Sequence, residues 1–331
     1  MTALWLVIRL VLIAPWLVVR VLWQRRFGQL PASWPVAYGV AVAVLRFVVG
    51  AAIGPLMAGR KSNLPSPPVL GRLSRSTERR AVKLAGRDAE WLTPAGPSPL
   101  RCVLYLHGGA FVTGSIGTHR QVMAQLAHVA NARVVGLDYR LAPEYRFPAG
   151  LEDCLAAWEE LLAAGELPQN MAIAGDSAGG GLTASMLLAL RDRGLPLPAA
   201  AWLLSPAVDL LDERPSWHDN LPYDYLAPIV AHRELFVPTY LGRGGDASQP
   251  LVSPVRGTLG GLPPLLIHVG EKEVLRDQII DYAARATAAG VEVTLVVGRD
   301  MVHVYPAFLG LTPLAAEAFV QAGAFLKAKI P

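Results

Sequence analysis

Gly175-Asp176-Ser177-Ala178-Gly179-Gly180 places a serine two residues after one glycine and two before the next. The apolar run Met171–Ala174 ahead of it reads as a buried strand, and the run behind it as a helix. A serine on a sharp strand-to-helix turn exposes its Oγ, and glycines on either side remove the Cβ atoms that would crowd such a turn. The chemistry implied is nucleophilic attack on a carbonyl. The plainer reading is a glycine-rich helix start with a capping serine, which the strand–turn–helix context disfavours.

A second motif, His107-Gly108-Gly109-Ala110-Phe111, follows the apolar run Cys102–Leu106. Acyl transfer through a tetrahedral intermediate needs backbone N–H donors aimed at a developing oxyanion, and a glycine turn lets main chain come that close. The Gly108-Gly109-Ala110 turn supplies the candidates, Gly109 and Ala110 foremost, joined by the N–H of Ala178 just after the serine. Phe111 is the candidate wall of an acyl pocket. Standing alone, this motif would read equally well as an ordinary turn.

The base and the acid follow from chain order, Ser…Asp/Glu…His, with the acid after the penultimate strand and the histidine after the last. Those strands end at Val269 and Val297, and His303 is the only histidine beyond Val297. His107 belongs to the glycine turn and His268 sits inside a strand. His119, His128, His218 and His232 read as solvated or locally bonded. The loop after Val269 offers Glu271, Glu273 and, further on, Asp277. Glu273 is taken as the acid with Asp277 as the alternative, the other being a helix-start carboxylate favoured by the dipole.

These loops must be held by a scaffold. Cys102–Leu106, Arg133–Leu137, Met171–Ala174, Ala199–Leu204, Pro264–Val269 and Val291–Val297 read as strands, most of them apolar enough for burial on both faces. Segments 118–130, 150–164, 179–193 and 273–289 read as helices. The alternation predicts an α/β fold with a mostly parallel central sheet, helices on both faces, and polar motifs gathered at the C-terminal ends of the strands.

At 331 residues, 53% hydrophobic and 17% charged, the chain can bury a large core and is not disordered. Its mean hydropathy of +0.36 raises the question of a membrane. Up to residue 83 there are twelve Arg and Lys against the single acid Glu78; the remainder holds eighteen bases and twenty-five acids. The pI of 9.2 therefore reflects a basic, apolar N-terminus suited to an anionic membrane surface, and no base-reading or stacking motif accompanies it to suggest nucleic acid.

Residues 1–23 and 36–58 read as a helical hairpin, followed by a proline-rich linker from Ser62 to Pro68. This divides the chain into an N-terminal segment, 1–68, and a catalytic domain, 69–331. Arg9 and Arg20 interrupt the first apolar stretch and Arg46 the second, which disfavours spanning. Arg9 and Arg20 lie three helical turns apart on one face, as in a helix lying at the interface. The rival expectations are a cap that never meets lipid and a cleaved targeting segment, though no charged region precedes the apolar run. Only Cys102 and Cys154 are present, with no zinc spacing, so a reducing compartment and core packing are expected. Localisation is thus read as membrane-associated on the cytoplasmic side, or else soluble in the cytoplasm.

H-G-G-A-F at 107–111, D-Y-R-L-A-P-E at 138–144, F-P-A at 147–149, G-D-S-A-G-G at 175–180, S-P-A-V-D-L at 205–210, G-L-P-P at 261–264, V-L-R-D at 274–277 and the His303 loop occur in that order. With them the chain, from about residue 100 to its end, resembles the bacterial hormone-sensitive-lipase-type (family IV) carboxylesterases of the α/β-hydrolase fold. The resemblance implies Ser177 as nucleophile, His303 as base and the position of Glu273 as acid, where the family usually carries aspartate. Ala110 stands where a third glycine is more usual. The family builds a cap from N-terminal helices. Here that segment is longer and more apolar, similar to membrane-anchored relatives of the arylacetamide deacetylase kind. The expected activity is hydrolysis of a small-molecule or lipid ester through an acyl-enzyme, without metal or cofactor. An acyltransferase using the same groups and a non-catalytic ligand receptor are the alternatives, the latter disfavoured by the intact Ser177 and His303.

Overall fold

The apolar runs read from the sequence form six adjacent strands of one eight-stranded sheet. Its strands are β1 (Thr77–Leu84), β2 (Arg87–Pro94), β3 (Cys102–Leu106), β4 (Arg133–Leu137), β5 (Met171–Asp176), β6 (Ala200–Leu204), β7 (Leu265–Gly270) and β8 (Val293–Gly298). Their order across the sheet is β1-β2-β4-β3-β5-β6-β7-β8. β1 and β2 pair antiparallel, β2 runs antiparallel to β4, and every pairing from β4 to β8 is parallel. The computed structural model describes residues 3–57 and 71–331. The proposed linker Ser62–Pro68 lies outside the described residues, as does the side chain of Arg9.

The helices are α1 (Ala3–Arg26), α2 (Val36–Met57), α3 (Gly71–Ser76), α4 (Ile116–Ala130), α5 (Ala149–Ala163), α6 (Ser177–Asp192), α7 (Ser216–Asp219), α8 (Ala227–Val230), α9 (Arg233–Leu241), α10 (Arg276–Ala288) and α11 (Pro313–Lys329). Successive side chains of a strand point to opposite faces, so a strand buried on both sides feeds two cores. β3 does this residue by residue. Cys102, Leu104 and Leu106 join the core under α5, α6 and α10. Val103 and Tyr105 join the core under α4 and α11. Cys102 and Cys154 are buried free thiols, and burial pushes the Cys102 thiol up to about 12, where it is inert.

β1 and β2 were not expected. Thr77–Leu84 carries four charges and Arg87–Pro94 three, so neither shows the apolar run of a central strand. They form an edge hairpin through the Ala85-Gly86 turn, and charge suits an edge that must not pair with another chain.

The N-terminal hairpin packs on the loop that follows β8. Trp34, Tyr38 and Val42 share a third apolar cluster with Met301, Val302, Tyr305 and Phe308. Trp34 Nε1 donates to the Asp300 carbonyl at 2.6 Å, Ser33 Oγ donates to Asp300 Oδ2 at 2.7 Å, and Val302 N–H donates to Tyr38 Oη at 3.2 Å. The start of α2 is thereby tied to the loop that carries His303.

Candidate active site

Ser177 stands at the first position of α6, immediately after β5, with φ of +52°. Left-handed backbone is costly for a residue with a Cβ and persists only where packing enforces it. The packing is visible at Gly179, where a Cβ would collide with the Leu106 carbonyl and reach within 2.6 Å of that of His107. The helix can approach β3 closely only with glycine there.

The His107–Phe111 turn lies against this elbow. Gly109 has φ of +132° and a Cβ on it would collide with the Thr113 carbonyl, so this position requires glycine. Ala110 follows at φ +54° and Phe111 at +61°, with Phe111 stacked on Tyr240 at 4.1 Å between centroids. Gly108 is different from its neighbours: its N–H donates to Asp176 Oδ1 at 3.0 Å. That bond takes Gly108 out of the set of expected oxyanion donors and gives it an anchoring task instead. Gly109, Ala110 and Ala178 border the same cavity as Ser177.

Asp176 is the hub of a network that composition alone conceals. Its Oδ1 also accepts from Tyr105 Oη at 2.7 Å, and its Oδ2 lies 3.3 Å from His119 Nε2. Burial pushes the Asp176 carboxyl up, but the His119 charge and the hydrogen bonds from His119 and Tyr105 outweigh it, leaving the carboxyl below its ordinary value. Burial likewise pulls the His119 imidazole down, and Asp176 more than reverses that. His119, expected to be solvated or locally bonded, is locally bonded. The neighbouring His107 is held at about 4 by burial and by repulsion from His119. Burial likewise pulls the His268 imidazole down to about 4, against the raising hydrogen bond to Gln321, while Trp202 Nε1 donates to its Nδ1.

Glu273 lies in the short loop between β7 and α10, which starts at Arg276 rather than at 273 as expected. It is fully buried. Oε2 accepts from Ser205 Oγ at 2.6 Å and from Gly270 N–H at 2.8 Å, leaving Oε1 3.7 Å from His303 Nδ1. Oε1 and both imidazole nitrogens are buried without a hydrogen-bond partner. The gap exceeds a hydrogen bond but is within ion-pair reach, a looseness common before substrate tightens such contacts. Asp277 occupies different ground: it accepts Ser216 N–H at 2.8 Å and pairs with Arg276 Nε at 2.8 Å.

His303 is buried in the loop after β8 and borders the cavity with Ser177. Burial pulls its pKa down, but Glu273, Asp224 and Asp176 raise it further, for a net rise above 6.5. Asp224 was not anticipated. It is buried beside this group, and desolvation lifts its carboxyl to about 6, opposed by the His303 charge and assisted by repulsion from Glu273. Ser205 was not singled out either, although its place just after β6 is where such sheets collect functional groups. Asp224, inside Pro222-Tyr223-Asp224-Tyr225-Leu226, carries no comparable signal.

The cavity measures about 560 Å³ and is mostly apolar. Its far wall comes from α2, through Leu45, Val48, Val49, Ala52 and Ile53, facing Phe111 and Phe236. The volume is that of a small-molecule site, closed on one side by the N-terminal hairpin.

Residues 103–307 match the family described as alpha/beta hydrolase fold. An acetyl-hydrolase of Streptomyces hygroscopicus is 43% identical over 239 residues, covering 72% of this chain and 79% of that protein. The carboxylesterase NlhH of Mycobacterium tuberculosis is 39% identical over 240 residues, covering 69% and 73%. Among solved structures, an esterase from the bacterial hormone-sensitive lipase family superposes with a TM-score of 0.75 at 35% identity, covering 95% of this chain and 98% of its own. EstE5, soaked with p-nitrophenyl butyrate, gives 0.74 at 37% identity, covering 86% and 98%. With an eight-stranded sheet of this order and these acetyl-hydrolase, carboxylesterase and esterase relatives, the chain belongs to the bacterial hormone-sensitive-lipase family of carboxylic ester hydrolases on the α/β-hydrolase fold.

Proposed function

We propose that this hydrolase works through Ser177, His303 and Glu273 on lipophilic short- to medium-chain esters met at a membrane surface. The observation that carries the reading is the placement of Ser177, at positive φ, and of His303 on the same cavity, with Glu273 Oε1 next to the imidazole. His303 Nε2 takes the Ser177 proton as Oγ attacks the ester carbonyl. The N–H groups of Gly109, Ala110 and Ala178 hold the oxyanion. The protonated imidazole, oriented by Glu273, returns its proton to the departing alcohol. Water then enters, gives a proton to His303 and attacks the acyl-enzyme, and collapse of the second tetrahedral intermediate releases the acid and restores Ser177.

The apolar lining supports a lipophilic acyl group, and Phe111 with the α2 wall sets the room for it. The N-terminal hairpin supports an interfacial location. Among the described residues one helix, Val36–Pro55, is long and apolar enough to cross a membrane. It also walls the cavity, so it cannot enter a bilayer without opening the site. α1 instead turns Leu12, Trp16 and Trp23 to the outside, each more than half exposed like Phe27 just after it, beside the exposed Arg20 and Arg26. This mixture suits a helix lying among anionic headgroups.

A fluorophosphonate should label the wild-type protein and fail to label Ser177→Ala, whose turnover of p-nitrophenyl butyrate should fall by up to about a million-fold. Equal labelling of the two proteins would refute Ser177 as nucleophile.

A further inference from the structure

Arg46 is the only charged residue of α2, and a lone guanidinium in an apolar helix needs a reason. Its Nη1 donates to the Leu221 carbonyl at 2.9 Å and to the Pro222 carbonyl at 3.0 Å. The cavity wall is formed by its neighbours Leu45, Val48 and Val49, so Arg46 serves the segment behind the wall.

That segment grips the acid loop from both of its ends. Asn220 Nδ2 donates to the carbonyls of Glu271 at 3.1 Å and Glu273 at 2.8 Å. Asp224 Oδ2 accepts Val274 N–H at 2.8 Å, and Oδ1 accepts Leu226 N–H at 3.1 Å. The next residue, Tyr225, sets its ring edge-on to His303 at 5.8 Å between centroids. The residues flanking Glu273 are thus held by Asn220 and Asp224, and the carbonyls lying between those two are held by Arg46.

We propose that Arg46 is a positioning residue, fixing the Asn220–Tyr225 segment so that Glu273 and His303 stay in facing register. Resting on the reading of Glu273 and His303 as acid and base, the assignment gives α2 a second task besides walling the cavity. Removing Arg46 leaves two carbonyls without their charged donor and lets the segment move relative to the acid loop. Displacements of about an ångström at a reacting pair cost up to about a hundredfold in rate.

The test uses the full chain and p-nitrophenyl butyrate, with Ser177→Ala alongside. Arg46→Met should lower kcat by about ten- to a hundredfold while KM changes little, since Arg46 does not line the pocket. The acid limb of its kcat/KM profile should move to lower pH, because the imidazole is faced by Glu273 from the β7 loop, Asp224 from the gripped segment and Asp176 from the end of β5, and the first two lose their fixed approach. Arg46→Lys, which keeps a charged donor, should recover part of the loss. Asn220→Ala cuts the same grip from its other end and should show the same split of kcat from KM. The double variant should be little worse than the worse single one. Should Arg46→Met fail to give a wild-type melting profile, Arg46→Lys and Asn220→Ala decide by the same readouts. Wild-type kcat and an unmoved acid limb in the folded variants, or losses that simply add, would overturn the proposal while a dead Ser177→Ala kept the underlying reading intact. An active Ser177→Ala would remove the reading itself.

Discussion

Ser205 Oγ donates to Glu273 Oε2 at 2.6 Å and accepts the Val304 N–H at 2.9 Å, joining the proposed acid to the residue that follows the proposed base. A single buried hydroxyl therefore fixes both loops, and Ser205 holds it there with φ of +46°. Ser205→Ala removes a hydrogen bond to a buried carboxylate and strands the Val304 N–H. The expected cost is about 2 kcal/mol in stability, read from the urea midpoint, with a drop in kcat of about tenfold. An unchanged kcat would show that Glu273 is held well enough by Gly270 N–H alone.

The pH profile distinguishes the two candidate acids. His303 must be neutral to accept a proton, so activity rises as pH passes its pKa. With that value raised above 6.5 by its carboxylate neighbours against the pull of burial, the acid limb of kcat/KM should have its midpoint above pH 6.5. Glu273→Gln removes the nearest carboxylate, so the limb should move to lower pH and kcat should fall by up to about 10⁴-fold. Asp277→Asn should leave kcat within about threefold, the scale of a change off the reaction path. It should lower stability by about 1 kcal/mol through the weakened bonds to Ser216 and Arg276. A larger kinetic loss in Asp277→Asn than in Glu273→Gln would reverse the assignment.

What the sequence shows and conceals follows a physical line. The strands at the centre of the sheet are visible because burial on both faces demands uninterrupted apolar runs, and Cys102–Leu106 and Arg133–Leu137 are found to the residue. Ser177, Glu273 and His303 could be put forward as candidates because chain order and strand ends restrict where such groups can stand. The β1–β2 hairpin is missed because an edge is charged for the same reason that it is an edge. Asp224 is missed, and Arg46 is read only as an interruption of an apolar stretch, because their contacts lie 50 and 175 residues away along the chain. The bond from Gly108 N–H to Asp176 is hidden because a glycine turn announces closeness of main chain without saying to what.

The His119–Asp176 pair makes a separate stability prediction. His119→Ala leaves a buried carboxylate facing Tyr105 and Gly108 without its cation, which should cost about 3 kcal/mol. His119, raised in the folded state, contributes stability fully below its ordinary 6.5, and this fades as pH climbs through the raised value. Asp176, lowered in the folded state, contributes above its ordinary 3.8, and this fades as pH falls through the lowered value. The gap between wild type and His119→Ala in urea unfolding should therefore be widest between pH 3.8 and 6.5 and narrow on the alkaline side. A gap that goes on widening as pH rises above 6.5 would show that the pair is not charged in the folded protein.

The exposed face of α1 sets the last expectation. Trp16, 60% exposed, carries the Arg20 guanidinium over its ring at 5.4 Å, and Trp23, 54% exposed, lies against Phe27 at 4.8 Å between centroids. Their indoles suit the headgroup zone, while each exposed arginine near an anionic surface adds about 1 kcal/mol that salt screens. Sedimentation with phosphatidylserine-containing vesicles should exceed that with phosphatidylcholine alone and weaken as salt is raised. Arg20→Ser with Arg26→Ser should abolish the difference between the two lipids, whereas Trp16→Ser with Trp23→Ser should reduce binding to both. Turnover of soluble p-nitrophenyl acetate should stay at the wild-type level in both double variants, because these side chains lie on the outside of the hairpin whose inner helix walls the cavity. If neither vesicle retains the wild-type protein, the outer face of α1 serves something other than lipid, and the hairpin acts only as wall and brace of the active site.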